Sequence, residues 1–446
     1  MKPTTLIRIT ASALSLSTVL IAQDQSATAQ GFPRYKITDL GTLGGISGLG
    51  LDITNTGLIS GSATLPDGTS HAVLERRGTI DIGAPGLGGP NSTAQTVNEK
   101  GRAVGAAETT TKDPKHENFC GFGTDMECLA FSWQDGLMTP LRTLGGNNGQ
   151  AISINKLGEI AGVAENSTAD KSCAQARPSQ IFRYDAVLWG PKQGEIRELR
   201  LLPGDTVGIG LWINDKGQAI GNSGTCGNTI PPPIAVGPHA VLWEPDGSVH
   251  DLGNLGGKCL HFCINPVVGP SGNIPLDINN EGQVVGASAL SDETTIHAFF
   301  WQSGKMHDLG TLDGDIASVA LGINDAGDVV GSSMDASGNS RAFLRKNAKM
   351  TALADLIASD SPLFPVVAEI INSREEIVGI AVQKSTGDVH GFLAIPCSGD
   401  DRECCNQYLP AAKGETSGRA DFVLSETTRQ HLKELLWRGH HVAGSR

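Results

Sequence analysis

The stretch that decides the fold is Ile-Asn-Asp-Ala-Gly-Asp-Val-Val-Gly at residues 323–331, because versions of it recur along the chain. The seven copies begin at Ile53, Val97, Ile154, Ile213, Ile278, Ile323 and Ile371. Successive copies are 44, 57, 59, 65, 45 and 48 residues apart, a spacing typical of β-propeller blades. All copies end in glycine, at Gly61, Gly105, Gly162, Gly221, Gly286, Gly331 and Gly379. This repetition indicates that the fold requires glycine at that position.

Two further phrases keep step with the first. Upstream of it lies Asp-Leu-Gly-x-Leu-Gly-Gly, which is clearest at residues 39–45, 251–257 and 308–314. Downstream lies a strand phrase such as His-Ala-Phe-Phe-Trp at residues 297–301, with relatives beginning at His71, Leu129, Asp185, His239, Arg341 and His390. We interpret the Trp that ends four of these phrases, and the His that opens four, as packing residues.

Each repeat therefore contains four short extended runs separated by glycine turns, and no run is long enough for an amphipathic helix. The 446-residue chain has 57 Gly and only 12 Phe, 6 Trp and 3 Tyr, which favours a turn-rich β structure with small core side chains. We predict an all-β fold, a seven-bladed β-propeller of four-stranded blades, over residues 30–396. A β-solenoid is the alternative, although its coils usually have 20–30 residues.

The two ends of the repeat array suggest how the ring closes. The first unit starts with the strand at residues 35–40, and the last ends with the strand at residues 391–396. If the His-Ala-Phe strand is innermost, the copy from His390 completes the first blade, and truncation before residue 390 opens the ring. Glu375 replaces the turn glycine of the seventh copy. Because an L-residue is strained there, we expect that turn to change type.

The phrases at residues 297–299, 308–312 and 324–331 resemble those of the HAF-repeat extracellular proteins. The resemblance covers about residues 35–396. It implies an exported protein with a propeller-like architecture, and it supplies no catalytic residues. The cysteines, the long insertions and the tail of this chain depart from the family pattern.

Residues 1–29 have the pattern of a signal peptide. Lys2 and Arg8 precede an apolar stretch over residues 9–22, and small residues at 27–29 precede Gln30. We predict export to the periplasm or the extracellular space, with no membrane span; a short buried helix is the alternative. The net charge of −13, without a basic stripe, disfavours nucleic acid as a partner.

Nine cysteines in an exported chain indicate disulfides, with one thiol left over or paired between chains. Six of them, Cys120, Cys128, Cys173, Cys226, Cys259 and Cys263, lie within or beside four long insertions at residues 106–127, 163–184, 222–238 and 258–275. The topology places these insertions on one face. We expect local clips from Cys120 to Cys128 and from Cys259 to Cys263, and a link between adjacent blades from Cys173 to Cys226. Other connectivities and a zinc site are the alternatives.

Loops on a rigid scaffold often carry function, so we expect binding at the insertion-rich face. The candidate residues are His116, Phe119, Phe122, His261 and Phe262; packing within their own loops is the alternative interpretation. Asp313 and Asp315 offer too few oxygens for calcium, so we expect a solvated turn there. We predict no cofactor and no metal.

The sequence contains no nucleophile elbow, zinc-protease or phosphate-loop motif. We therefore predict a non-enzymatic protein that binds a protein or glycan, with unknown oligomeric state. The alternative is a secreted polysaccharide hydrolase or lyase that gathers carboxylates at the propeller axis, where spacing in sequence leaves no signature.

Residues 397–446 form a tail that contains Cys397, Cys404 and Cys405. A short helix is expected within it, capped by Ser425, ended by Gly439 and apolar at Leu432, Leu435 and Leu436. Such a short helix is marginal alone, so it either docks on the propeller or is disordered.

Overall fold

The computed structural model describes residues 32–398, except 46, 77, 232–235, 258–262, 266–268, 272 and 293, together with residues 423–430 and 432. Seven four-stranded antiparallel sheets follow one another along the chain and form a ring, which confirms the predicted propeller. The predicted signal peptide, Cys259, Cys404 and Cys405 lie outside the described residues.

The strands of blades 1 to 4 follow the chain from the axis outward. Blade 1 is β2 (Gly48–Ile53), β3 (Ile59–Thr64), β4 (Ser70–Glu75) and β5 (Thr79–Asp81). Blade 2 is β6 (Gly88–Val97), β7 (Ala103–Lys112), β8 (Met126–Gln134) and β9 (Leu137–Pro140). Blade 3 is β10 (Gly145–Ile154), β11 (Ile160–Ala169), β12 (Phe182–Trp189) and β13 (Ile196–Glu198). Blade 4 is β14 (Val207–Ile213), β15 (Ala219–Gly224), β16 (His239–Trp243) and β17 (Val249–Asp251).

Blades 5 to 7 continue the ring. A two-stranded hairpin of β18 (Cys263–Asn265) and β19 (Gly269–Ser271) precedes blade 5. Blade 5 is β20 (Ile274–Ile278), β21 (Val284–Ala289), β22 (Ile296–Gln302) and β23 (Lys305–Gly310). Blade 6 is β24 (Ala317–Ile323), β25 (Val329–Met334), β26 (Ser340–Lys346) and β27 (Lys349–Ala352). Blade 7 is β28 (Leu363–Ile371), β29 (Ile377–Gln383), β30 (Val389–Pro396) and the N-terminal strand β1 (Tyr35–Gly41). The other elements of the described residues are α1 (Cys173–Ala176), a 3-10 turn, Leu353–Asp355, and a C-terminal helix at residues 426–430 and 432.

Strands from the two ends of the repeat array close the ring. β1 pairs antiparallel with β30, from Tyr35 opposite Pro396 to Gly41 opposite Gly391. The predicted pairing of the chain ends is therefore confirmed, but the expectation that the His-Ala-Phe strand is innermost is wrong. That strand is third from the axis in every blade, because the strand that ends in the Ile-Asn phrase occupies the inner edge. β1 is thus the outermost strand of the last blade.

The final glycine of the repeat is required by a close approach of backbone. Each inner strand carries a register irregularity three residues before the Asn of the phrase or its equivalent. A Cβ on Gly331 would lie 2.0 Å from the Val319 carbonyl oxygen and 2.8 Å from the Phe343 ring. A Cβ on each of the other six glycines would lie 1.9–2.2 Å from a main-chain oxygen of the inner strand. The Phe of the His-Ala-Phe phrase therefore packs over this glycine. A side chain at the glycine position would displace the Phe ring.

The His and Asp of the two outer phrases form a pair within a blade. His297 Nδ1 lies 2.9 Å from the Asp308 carboxylate, whose Oδ1 accepts from the Gly310 main chain. Equivalent pairs join His71 to Asp81, His239 to Asp251 and His390 to Asp39. The two phrases thus recur together because their side chains bond each other on adjacent strands.

The Trp residues that end the strand phrases are packing residues, as predicted. Trp189 and Trp243 are buried, and their indole N–H groups donate to the main-chain oxygens of Arg142 and Arg200. The acceptors lie in the connections that lead from the preceding blade, so each indole fixes one blade against the next.

The seventh repeat keeps its turn despite Glu375. This residue has φ of 60°, and its N–H donates to the Asn372 main-chain oxygen at 3.0 Å, as glycine does elsewhere. Its carboxylate pairs with Lys346 at 2.7 Å. The expected change of turn type is therefore wrong, because side-chain and main-chain bonds hold the left-handed conformation.

The described insertions lie on one face of the propeller, and two of the three predicted disulfides are present there. Disulfides join Cys120 to Cys128, and Cys173 in blade 3 to Cys226 in blade 4. These cysteines share a buried cluster with Phe119 and with residues of the inner strand β14. The predicted clip between Cys259 and Cys263 lies outside the described residues.

The C-terminal helix covers the same face on the other side of the ring. Ser425 caps it, with Oγ accepting from the Thr428 main chain at 3.0 Å. Leu424 and Leu432 are buried among inner-strand residues of blades 1, 6 and 7, including Leu51 and Leu321. The described part of this segment, residues 423–430 and 432, therefore docks on the propeller; Leu435, Leu436 and Gly439 lie outside the described residues. No helix of the described residues is long and apolar enough to cross a bilayer.

Candidate functional site: an axial pocket

A pocket of about 230 Å³ opens on the axis at the face opposite the insertions. Its walls come from all seven blades, at the ends of the inner strands and the turns that follow them. The turns on this face are short, whereas the opposite face carries the insertions and the C-terminal helix. This pocket is therefore the site that the ring itself builds.

A chain of asparagine side chains surrounds the pocket. Each uses Oδ1 to accept main-chain N–H groups of its own turn, as Asn279 does from Glu281 and Gln283. Each Nδ2 donates to the main-chain oxygen of the residue at the same repeat position in the next blade, at 2.9–3.4 Å. The donors are Asn98, Asn155, Asn214, Asn279, Asn324 and Asn372, and the last of them bonds Thr54. The repeat Asn is thus both a turn residue and a link between blades.

The residue after each of these positions forms the rim of the pocket. The rim residues are Asn55, Glu99, Lys156, Asp215, Asn280, Asp325 and Ser373. They also bond around the ring: the Lys156 ammonium lies 2.7 Å from Asp215, and Asn280 donates to Asp325 at 2.8 Å. The rim therefore presents amide, carboxylate, ammonium and hydroxyl groups in fixed orientations.

One aromatic side chain reaches across the axis. Trp212 of blade 4 lines the pocket and packs against the buried cluster of Ile278 in blade 5. It also packs against the cluster of Ile53 and Ile370 in blades 1 and 7. Because the indole contacts opposite sides of the ring, it forms an apolar surface inside a polar rim.

Two aspartates line the pocket below the rim and join adjacent blades. Asp52 accepts from the main chains of Ile53 and Val97, and Asp277 accepts from those of Ile278 and Ile323, at 2.7–3.0 Å. Burial raises the pKa of Asp52 to about 6 and that of Asp277 to about 8. The Asp52 charge contributes to raising the pKa of Asp277. Each carboxyl group therefore uses Oδ1 within its own strand and Oδ2 to bond the main chain of the neighbouring blade.

The three predicted binding residues of the insertion face that the structure describes differ in exposure. Phe119 is fully buried, and its ring meets the Tyr184 ring edge-on at 6.3 Å. Phe122 packs, partly buried, against the same cluster, and His116 is exposed beside Asp125. His261 and Phe262 lie outside the described residues. Their role in binding stays a prediction.

The insertions also bury a carboxyl pair that the sequence did not suggest. Glu117 accepts from the main chains of Ile181 and Phe182, and Glu165 accepts from Gln180 and from the Asn148 main chain. Burial, with the nearby Glu117 charge, raises the pKa of Glu165 to about 8. This pair joins the insertions of blades 2 and 3.

The Asp313–Asp315 turn is only partly solvated. Asp313 is exposed, but the Asp315 side chain is 2 % exposed and pairs with Arg341 at 2.8 Å. The expected solvated turn is therefore wrong at Asp315, because the arginine of the blade 6 strand phrase covers it. Among the described residues, no group of three or more His, Cys, Asp or Glu is arranged to hold a metal ion.

The axial pocket escaped prediction although its residues lie in the repeat itself. The Asn of the phrase is explained equally well as a turn residue, so its contact with the next blade has no separate signature. Asp52, Trp212 and Asp277 offered a signal, since they occupy one repeat position just before the phrase where other copies have small or aliphatic residues.

Comparisons with known proteins give this chain no particular identity. No protein-family model matches the chain, and no curated protein is significantly similar. The HAF-repeat resemblance therefore stays a prediction.

Among solved structures, similar chains include the β-propeller domain of the Trilobed protease from Pyrococcus furiosus, at 9% identity and a TM-score of 0.44, covering 78% of this chain and 95% of that chain. Another is an acylaminoacyl peptidase from Pyrococcus horikoshii, at 10% identity and a TM-score of 0.46, covering 81% of this chain and 54% of the peptidase. A gluconolactonase from Xanthomonas campestris has 10% identity and a TM-score of 0.31, covering 60% of this chain and 79% of that chain. These similarities carry no function to this chain.

Proposed function

We propose that this propeller is a non-enzymatic, exported binding protein that takes the end of a neutral glycan into its axial pocket. The observation that carries the proposal is the combination of a polar rim from all seven blades with the Trp212 indole inside it. Two disulfides among the described residues support an oxidising compartment, outside the cytoplasm.

The chemistry of the pocket suits a sugar better than an apolar ligand. A sugar ring has hydroxyl groups around its edge and an apolar face. The rim groups can bond the hydroxyls, and an indole provides a rigid apolar surface for the face of the ring. The volume of about 230 Å³ limits the bound part to a small terminal group.

The insertion face is a weaker candidate for the glycan site. Phe119 and Tyr184 are packed inside the disulfide-tied insertions, and Leu432 of the tail covers part of the same face on the other side of the ring. The rings of Phe119 and Tyr184 are fully buried and cannot stack on a sugar. Protein binding through the exposed parts of this face remains the alternative prediction.

The test is a glycan array probed with the mature protein, followed by calorimetric titration of the strongest neutral ligand. Trp212→Phe and Asp325→Asn should each weaken binding at least tenfold. Trp301→Phe and Asp246→Asn, outside the pocket, serve as matched controls and should leave it unchanged. Equal binding by all four variants would exclude the axial pocket as the site.

A polysaccharide hydrolase is the second candidate, favoured by two carboxyl groups in one pocket whose pKa values differ. Their engagement by main-chain N–H groups favours the binding role instead. Release of reducing ends from polysaccharides, abolished by Asp277→Asn in a protein that still folds, would establish the hydrolase and overturn the non-enzymatic proposal.

A further inference from the structure

A second cavity, separate from the axial pocket, lies between blades 2 and 3. Its volume is about 490 Å³, within the usual range for small-molecule sites. Its lining includes the β8–β9 hairpin, the buried Trp189 and the loop at residues 190–195. We call this cavity the blade 2–3 groove.

Arg102 in this groove departs from the internal repeat. Four residues after the ring Asn, five blades carry an acidic or amide side chain that accepts from the Asn Nδ2. These side chains are Glu159, Gln218, Gln283, Asp328 and Glu376. Arginine has no acceptor, so blade 2 loses that bond. The Arg102 guanidinium instead donates from Nε to Ser132 Oγ at 2.6 Å and lines the groove.

The charge of the groove is opposite to that of the whole protein. Arg102, Arg142 and Lys192 line it with a single acidic residue, Glu195, in a chain of net charge −13. Lys192 and Glu195 lie 3.7 Å apart and balance each other. Within the described part of the chain, neither guanidinium has a carboxylate at ion-pair distance. The groove therefore holds two positive charges that an anion can neutralise.

The excess positive charge of the groove matters because one of its arginines is partly buried. Arg102 is partly buried, and its pKa is lowered by removal from water. A cation taken out of water without a counter-charge destabilises the fold unless a bound anion supplies one. The planar guanidinium fits a carboxylate through two parallel hydrogen bonds. Five other blades have a hydrogen-bond acceptor at this position. Arg102 therefore costs blade 2 the hydrogen bond from Asn98 Nδ2, and its positive charge is left for another partner.

We infer that the blade 2–3 groove binds a sugar acid of the uronate class, with its carboxylate on Arg102 and Arg142. Gln134, Thr139 and Gln193 line the same groove and supply amide and hydroxyl groups for the sugar hydroxyls. Leu137, Pro140 and Pro191 provide apolar surface beside them. The inference concerns a site apart from the axial pocket and stands independently of the proposed function there.

The test is calorimetric titration of the mature protein with D-glucuronate, glucose and glucose 6-phosphate. Glucuronate should bind at least tenfold more tightly than glucose. Arg102→Gln and the exposed Arg142→Gln should each weaken glucuronate binding at least tenfold. Arg345→Gln, which removes a partly buried arginine of blade 6, should leave it unchanged.

Three outcomes would overturn the inference. They are equal binding of glucuronate and glucose, tighter binding of glucose 6-phosphate than of glucuronate, and unchanged glucuronate binding by the folded Arg142→Gln variant. Trp212→Phe should leave glucuronate binding intact. That variant separates a failure of this site from a failure of the axial proposal.

Discussion

The side chain of Asn372 in blade 7 donates from Nδ2 to the main-chain oxygen of Thr54 in blade 1 at 3.1 Å, across 318 residues of sequence. The next residues repeat the link, because the Ser373 main chain donates to Asn55 Oδ1 at 2.9 Å. The hydrogen bonds around the axis therefore cross the seam between the chain ends as they cross the other blade boundaries.

Removing the seam asparagine should destabilise the ring as much as removing one elsewhere. We expect Asn372→Ala to lower the free energy of unfolding by about 1–3 kcal/mol, because buried main-chain groups of two blades lose their partners. Asn214→Ala, remote from the seam, is the matched control and should cost about the same. Denaturant titration measures both. A neutral Asn372→Ala beside a costly Asn214→Ala would contradict an axial ring that is continuous across the seam.

The final glycine of each repeat should be far less replaceable than the turn glycine. Gly331→Ala places a Cβ 2.0 Å from the Val319 carbonyl oxygen, so we expect a loss above about 4 kcal/mol or failure to fold. Gly327→Ala in the same blade meets no atom closer than 3.4 Å and should cost only about 1–2 kcal/mol, from its φ of 81°. Thermal melts of the two variants decide the order, and similar losses would count against the close approach.

The two disulfides should differ in their contribution to stability. Chain-entropy arguments give about 4 kcal/mol for the link from Cys173 to Cys226, which spans 53 residues, and about 3 kcal/mol for the shorter link from Cys120 to Cys128. The double Cys→Ser variant of the longer link should therefore melt at the lower temperature. Calorimetry of the two double variants measures this, and the reverse order would show that strain or local packing outweighs loop length.

Stability should fall as the pH rises from about 5 to 8. The folded-state pKa of Glu165 is raised to about 8, above its unfolded value, so the folded state holds a proton that the unfolded state releases. Glu117, Asp113, Gln180 and Asn148 surround the group. Glu165→Gln cannot ionise and should reduce the slope, whereas Asp277, whose pKa is also raised to about 8, keeps part of the dependence.

Melting temperatures of the wild type and Glu165→Gln across this pH range test the titration. Glu281→Gln, in the exposed turn of blade 5, is the control and should keep the wild-type profile. Parallel profiles for the wild type and Glu165→Gln would mean that Glu165 does not titrate in this range.

The number of blades could be predicted because every blade needs a glycine at the position of Gly331. The same structural requirement therefore appears seven times in the sequence. The disulfide pairs followed because insertions at equivalent connections must lie on one face. The order of strands within a blade did not follow, since the Ile-Asn and His-Ala-Phe strands are both apolar and both flanked by turns.

The axial pocket was not predictable for a related reason. A repeat records what all blades share, whereas the pocket depends on differences between blades, such as Trp212 in blade 4 and Asp277 in blade 5. Trp212 reaches the axis because it lies on an inner strand, whereas Trp189 and Trp243 lie on third strands and pack between blades, and this strand order was not predictable. Arg102 was not predictable as a binding residue either, because its place in the groove between blades 2 and 3 is known only from the structure.

The central claim, that the ring builds a glycan site at its axis, is tested most directly by a crystal structure of the mature protein with its strongest neutral array ligand. The account predicts a terminal sugar ring lying against Trp212, with hydroxyls bonded to the rim at Asp215, Asn280 or Asp325. A ligand seated on the insertion face, with the axial pocket empty, would contradict it.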